Sequence, residues 1–190
     1  MHLDATDLRR QFEAAAREAR DLAGGLTLRQ LQWRPAGKWS IAECFDHLNH
    51  AERILPRFDR KLAEARAAGG RRRWPYRAGW IAGMYIRSVE PPVRRLRFRS
   101  PKAFRPHSET ELTDAVPRFL RLQEDLARRV EESEGVDVSG IRMGSPVVRR
   151  FKMSMAEWFA FLAAHQRRHL WQARNVRAHP DFPGARDAGR

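Results

Sequence analysis

Residues 161–172 read FLAAHQRRHLWQ and set two histidines, His165 and His169, four apart in an apolar neighbourhood. On a helix that spacing stacks both imidazoles on one face, from which they can reach a single metal ion. At about 100° per residue from Met155, Trp158, Leu162 and Val176 fall at about 300°, 340° and 300°, with His165 and His169 at about 280° and 320°. Both histidines therefore face the core. Gln172, at about 260° on the same wheel, follows one turn later as a candidate to orient an imidazole, or else to satisfy a backbone group.

A single buried imidazole usually fills a core and keeps one hydrogen-bond partner. Two stacked ones bury several polar nitrogens at a cost that a shared ion would offset, so core filling and metal ligation both stay open for the pair. A third ligand favours the ion, because open zinc sites commonly use three protein ligands. Residues 46–50, DHLNH, offer two more histidines. With Ile41 at zero and the apolar stripe at about 310°, His47 lies at about 240°, bordering the core, and His50 at about 180°, pointing away. If the helix carrying His47 runs antiparallel to the one carrying His165 and His169, the three imidazoles share one end of the fold. The zinc-protease pattern H-E-x-x-H fails here, since Gln166 stands where that motif needs its general-base glutamate.

Helical spacing of Leu8, Phe12, Ala15, Ala19 and Leu22 predicts a first helix over residues 4–23, stopped by Gly24 and Gly25. Ser40-Ile41-Ala42-Glu43 has the form of a capping box and opens a second helix over 40–67. Phe119, Leu122, Leu126 and Val130 mark a third over 110–134, with Pro117 in its first turns or at a kink. A second capping box, Ser154-Met155-Ala156-Glu157, opens a fourth over 154–178. Between the second and third lie about forty residues, ample for a crossover, with a short helix around Trp80 to Val89 that Pro91 and Pro92 must stop. No convincing strand pattern is present. The expected fold is all-α, a four-helix bundle forming one domain over 1–178, with a flexible tail over 179–190.

Lysine and arginine total 37 against 23 aspartate and glutamate, a net charge of +14. From Arg66 to Arg105 twelve basic residues face one acidic residue, Glu90, and Trp74, Tyr76 and Trp80 are interleaved. Such a segment is a solvated surface, a grip for an anionic small molecule, or a nucleic-acid contact, in that order of preference, because no zinc finger, RNA-recognition signature or helix-turn-helix accompanies it. Cys44 is the sole cysteine, so no disulfide forms within the chain, and its place on the apolar stripe makes it a core residue. The N-terminus lacks the apolar run of a signal peptide, and the apolar stretches are far shorter than the roughly 20 residues of a membrane span. A reducing cytoplasm is the expected location, with a homodimer left open.

The stretch LRQLQWRPAGKWSIAECFDHLNHAE, with HQRRHLWQ near the C-terminus, resembles the DinB-like (YfiT-type) superfamily of bacterial metal-binding four-helix bundles. The resemblance covers most of residues 4–178. It implies an up-down-down-up bundle with a long crossover, and a divalent-ion site for zinc or nickel on His47, His165 and His169. Members with known activities include transferases and isomerases that use bacillithiol, mycothiol or glutathione. Gln166 replaces a glutamate often found in relatives, which spares the ligands and removes any base at that position. The expected function is a metal-dependent transferase or hydrolase that activates a low-molecular-weight thiol cosubstrate or water. The alternatives are a noncatalytic stress-response or binding module with a structural histidine site, and nucleic-acid binding through residues 66–105.

Overall fold

A computed structural model of the chain describes residues 1–69, 74–92, 106, 112–144 and 151–184. Helix α1 (Ala5–Ala23) begins where the Asp4 carboxylate accepts from the Asp7 amide and ends at Gly24, with Gly25 at φ +73°. Beyond it, α2 (Leu28–Gln32) carries a Thr27–Gln30 capping box. A helix of five residues is too short to show a period in the sequence. Helix α3 (Ile41–Asn49) opens on the expected Ser40–Glu43 box, and α4 (Leu55–Ala67) continues from it through a 3-10 segment, His50–Ile54.

That segment corrects the expectation of one unbroken helix over 40–67. Pro56 stands at the start of α4, and a proline has no N–H for the carbonyl four residues back and clashes with it. The preceding turn tightens instead, and the Leu55 amide bonds to the Glu52 carbonyl.

Helix α5 (Trp80–Val89) ends just before Pro91 and Pro92. Helix α6 (Ala115–Glu132) holds Pro117 in its first turn, where a missing donor costs nothing. Of the helix start expected at 110, residues 110 and 111 lie outside the described part, and Leu112–Asp114 precede the helix as a turn. Helix α7 (Met155–Arg177) starts on the second expected box, Ser154–Glu157. Glu157 is 4% exposed and also accepts from the Gly79 amide at 2.8 Å, tying the crossover to the head of α7. Two antiparallel ribbons were not expected: β1 (His2–Leu3) with β2 (Tyr76–Arg77), and β3 (Arg142–Gly144) with β4 (Lys152–Ser154). Strands of two or three residues are too short to leave an alternating pattern.

The protein is mostly helical. Helices α1 and α3 each pack against both α6 and α7. Ion pairs and one hydrogen bond give the directions: Arg9–Glu131 and Arg20–Glu124 set α1 antiparallel to α6, while the Arg174–Glu18 pair and the bond that Arg167 donates to Gln11 set it parallel to α7. Arg118–Asp46 and Arg129–Asp59 set α6 parallel to the α3–α4 rod.

The interior divides into two apolar clusters. One holds Leu8, Phe12, Phe58, Leu62, Leu122, Leu126 and α7 up to Ala164. The other holds Ala15, Ala19, Ile41, Phe45, Phe119 and α7 from Leu170. Each contains a pair of fully buried rings, Phe58–Phe159 at 4.9 Å and Phe45–Phe119 at 5.1 Å between centroids. Burying one such side chain is worth about 1.5–3 kcal/mol. Between the clusters α7 carries HQRRH and the α3–α4 rod carries its 3-10 turn, so a polar layer sits where the apolar stripes break.

The chain after α7 turns back on α2. Phe182 and His179 each place their rings 5.5 Å from Trp33, and Gln30 donates to the Pro183 carbonyl. Residues 179–184 thus have partners that their sparse apolar content does not suggest.

Candidate metal centre

The capping box at Ser40 fixes the start of α3, and seven residues later His47 emerges toward α7. The box at Ser154 does the same for α7 and delivers His165 directly after Ala164, the last α7 member of the first apolar cluster, and His169 one turn later. His47 and His169 are 8% and 6% exposed, and His165 is partly buried between them. Their Nε2 atoms converge: His47 to His165 is 3.3 Å and His169 to His165 is 3.1 Å. Two imidazole nitrogens bound to one ion at about 2.0–2.1 Å with near-tetrahedral angles stand about 3.3 Å apart, so the spacing fits a shared divalent cation. The chemistry of the donors agrees. Nε2 of His165 lies within hydrogen-bonding distance of both neighbours but carries at most one hydrogen, whereas a cation would satisfy all three lone pairs.

Aromatic rings hold the imidazoles. Trp39, immediately before the Ser40 cap, stacks on His169 at 5.7 Å and lies against His47 at 4.9 Å. Phe161 stacks on His165 at 5.6 Å and on Tyr85 of α5 at 5.0 Å. Burial, with the charges of His47 and Arg168 adding to it, pushes His165 down to about 3. His169 lies well below its ordinary value, first from burial and then from His165, His47 and Arg168. Gln172, half-buried, opposes that shift, while the buried Nδ1 of His169 has no hydrogen-bond partner. Neutral imidazole is the form that ligates metal.

The structure thus brings together His47, His165 and His169, with Gln172 beside them. His50 needs correction: it is 7% exposed rather than turned to solvent, with its ring 6.3 Å from that of His47. The reason is the break after Asn49, which invalidates an angle extrapolated along a continuous helix. His50 lines a cavity of about 410 Å³ with Asn49, Glu52, Arg53, Asp114 and Arg118. Gln166 is 2% exposed and its side-chain oxygen is unpaired; an amide supplies no base. Cys44 is 1% exposed, and burial followed by the charge of Glu43 pushes its thiol far up, which leaves it an inert core residue. The Arg-rich segment 66–105 is only partly in view, since residues 70–73 and 93–105 lie outside the described part.

Sequence reasoning missed Trp39, Phe161 and Arg168. Trp39 sits in a loop, where no period applies. Phe161 reads as one more apolar residue, and Arg168 as one of many arginines.

A family model described as the DinB superfamily matches residues 11–173. The chain belongs to the DinB superfamily. The match runs from α1 to the last turns of α7 and so includes His47, His165 and His169 of this superfamily member. No curated protein and no solved structure matches it. No helix among the described residues is long and apolar enough to cross a membrane.

Proposed function

We propose that His47, His165 and His169 hold a divalent metal ion and that this DinB-superfamily protein is a metal-dependent enzyme, a transferase or hydrolase acting through a thiol or water. The observation that carries the reading is the convergence of three Nε2 atoms from two helices in a buried polar layer. A divalent ion with open coordination positions, such as zinc or nickel, lowers the pKa of a bound thiol or water and makes a nucleophile available near neutral pH. The chain's own part is to keep the imidazoles neutral by burial, to fix them between Trp39 and Phe161, and to exclude bulk water. Gln172 is proposed as the group that orients His169. The directions of the ion pairs support an up-down-down-up bundle over residues 1–178, with α5 lying on its crossover.

Metal analysis of the purified chain tests the first step. Near one equivalent of divalent metal is expected after reconstitution, and less than a tenth of that in His165→Ala. Failure of the wild-type chain to retain any divalent ion overturns the assignment.

A second reading, a noncatalytic binding or stress-response module with a structural ion, is favoured by one observation: Gln166 supplies no base, and the converging set among the described residues contains no carboxylate. On that reading metal removal lowers the melting temperature and abolishes no turnover.

A further inference from the structure

Two arginines of this chain are almost equally buried and differently treated. Arg129, 6% exposed, is held on two sides: its Nε and Nη2 donate to the Asp59 carboxylate at 2.7 and 2.9 Å, and Nη1 donates to Asp125 at 3.0 Å. Arg168 is 8% exposed and has no hydrogen bond or ion pair among the described residues. The contrast extends to its neighbours on α7: Arg167 is paired with Glu90, and Arg174 with Glu18.

A side chain held largely out of water without a countercharge gives up solvation that a carboxylate would restore, and the Arg168 nitrogens are not sealed off, so a ligand can reach them. The place of this arginine on α7 is specific. Arg168 follows His165 by three residues and precedes His169 by one, so it shares a helical face with His165, whose β-carbon neighbours at that spacing stand about 5–6 Å away. It is two turns past Phe161 on the same side of α7. A guanidinium is a planar fork matched to an oxyanion, and it stays protonated under all physiological conditions.

We propose that Arg168 is the anion-binding residue of the histidine site, and that it receives the carboxylate of a small substrate or cosubstrate whose reacting end lies at His47, His165 and His169. This rests on the metal reading above and narrows it to anionic, short-chain molecules. The carboxylate supplies an ion-pair partner that none of the described residues provides.

The test uses the full chain loaded with cobalt(II), whose visible absorption reports ligand binding, and two thiols of matched length, 3-mercaptopropionate and 3-mercapto-1-propanol, at constant ionic strength. The wild-type chain is expected to bind the carboxylate at least tenfold more tightly than the alcohol. Arg168→Met is expected to bind cobalt normally, to bind the alcohol as wild type does, and to lose the preference to within about twofold, in keeping with the loss of one charge-assisted pair. Arg10→Met removes the same charge from an exposed position of α1 and keeps the preference, which separates Arg168 from the general +14 field.

A second arm needs no metal. Without anion, metal-free Arg168→Met is expected to melt at or above the wild-type temperature, and acetate at constant ionic strength raises the melting temperature of wild type but not of the variant. A cobalt-loaded Arg168→Met that still prefers the carboxylate tenfold overturns the proposal. So does a variant that melts lower than wild type and keeps the acetate shift. Failure of wild type to bind cobalt at all strikes the metal reading instead, and the acetate arm then decides Arg168 alone.

Discussion

Acidifying the metal-free protein is expected to destabilise it steeply between pH 7 and 4.5, and the histidine layer supplies the reason. Burial holds His165 at about 3 in the folded chain, against an ordinary value near 6.5 when unfolded. Below pH 6.5 the unfolded state takes up a proton that the folded state refuses, so stability rises with pH and is lost as pH falls toward 3. Each pH unit within that window costs about 1.36 kcal/mol, which sums to about 2.5 kcal/mol for His165 between pH 7 and 4.5. His169, also depressed by burial, acts in the same direction. The assay is urea unfolding of the EDTA-treated chain at the two pH values, run beside His165→Gln, which cannot titrate. Wild type should lose about 2–3 kcal/mol more than the variant on acidification. If the two curves fall in parallel, His165 is not buried neutral and the account of the layer is wrong.

Three further outcomes follow from the same geometry. Adding zinc to the metal-free chain at about a hundredfold its dissociation constant is expected to raise stability by about 2.7 kcal/mol, seen as a higher melting temperature, and His47→Ala should abolish the rise. Trp39→Ala removes the ring that stacks on His169 and lies against His47; metal affinity is expected to fall about 10–100-fold by competition with a chelator, as for other groups that orient metal ligands. Asp59→Ala leaves the buried Arg129 with Asp125 alone, and because Asp59 itself is half exposed denaturant unfolding should show a loss of about 1–2 kcal/mol, most of it recovered in Asp59→Leu with Arg129→Met.

The parts of this protein legible in its sequence are those governed by local rules. The capping boxes at Ser40 and Ser154 are side-chain-to-backbone bonds spanning three residues, so their sequence pattern and their geometry coincide. Helical periodicity places His165 and His169 on the core face and Phe119, Leu122, Leu126 and Val130 on one stripe, because a helix repeats at a fixed angle. The end of α5 follows from Pro91 and Pro92 for a similarly local reason. Where the local rule was misapplied the expectation failed: Pro56 breaks the second helix, and the angle assigned to His50 was extrapolated through the break.

Tertiary structure alone decided the rest. That His47 meets His165 at 3.3 Å across 118 residues depends on how α3 packs against α7, a long-range fact that no local pattern encodes. Trp39 and Phe161 became part of the site only when two helices carried histidines to them. The sharpest case is the pair Arg129 and Arg168. As residues they are identical, and each sits on an amphipathic helix among other charges. One is neutralised by Asp59 on a neighbouring helix and by Asp125 one turn back, and the other is packed beside the imidazoles without a carboxylate. Whether a buried charge is structural or waits for a ligand depends on what the fold brings within about 3 Å of it, and that distance is written nowhere in the chain's order of residues.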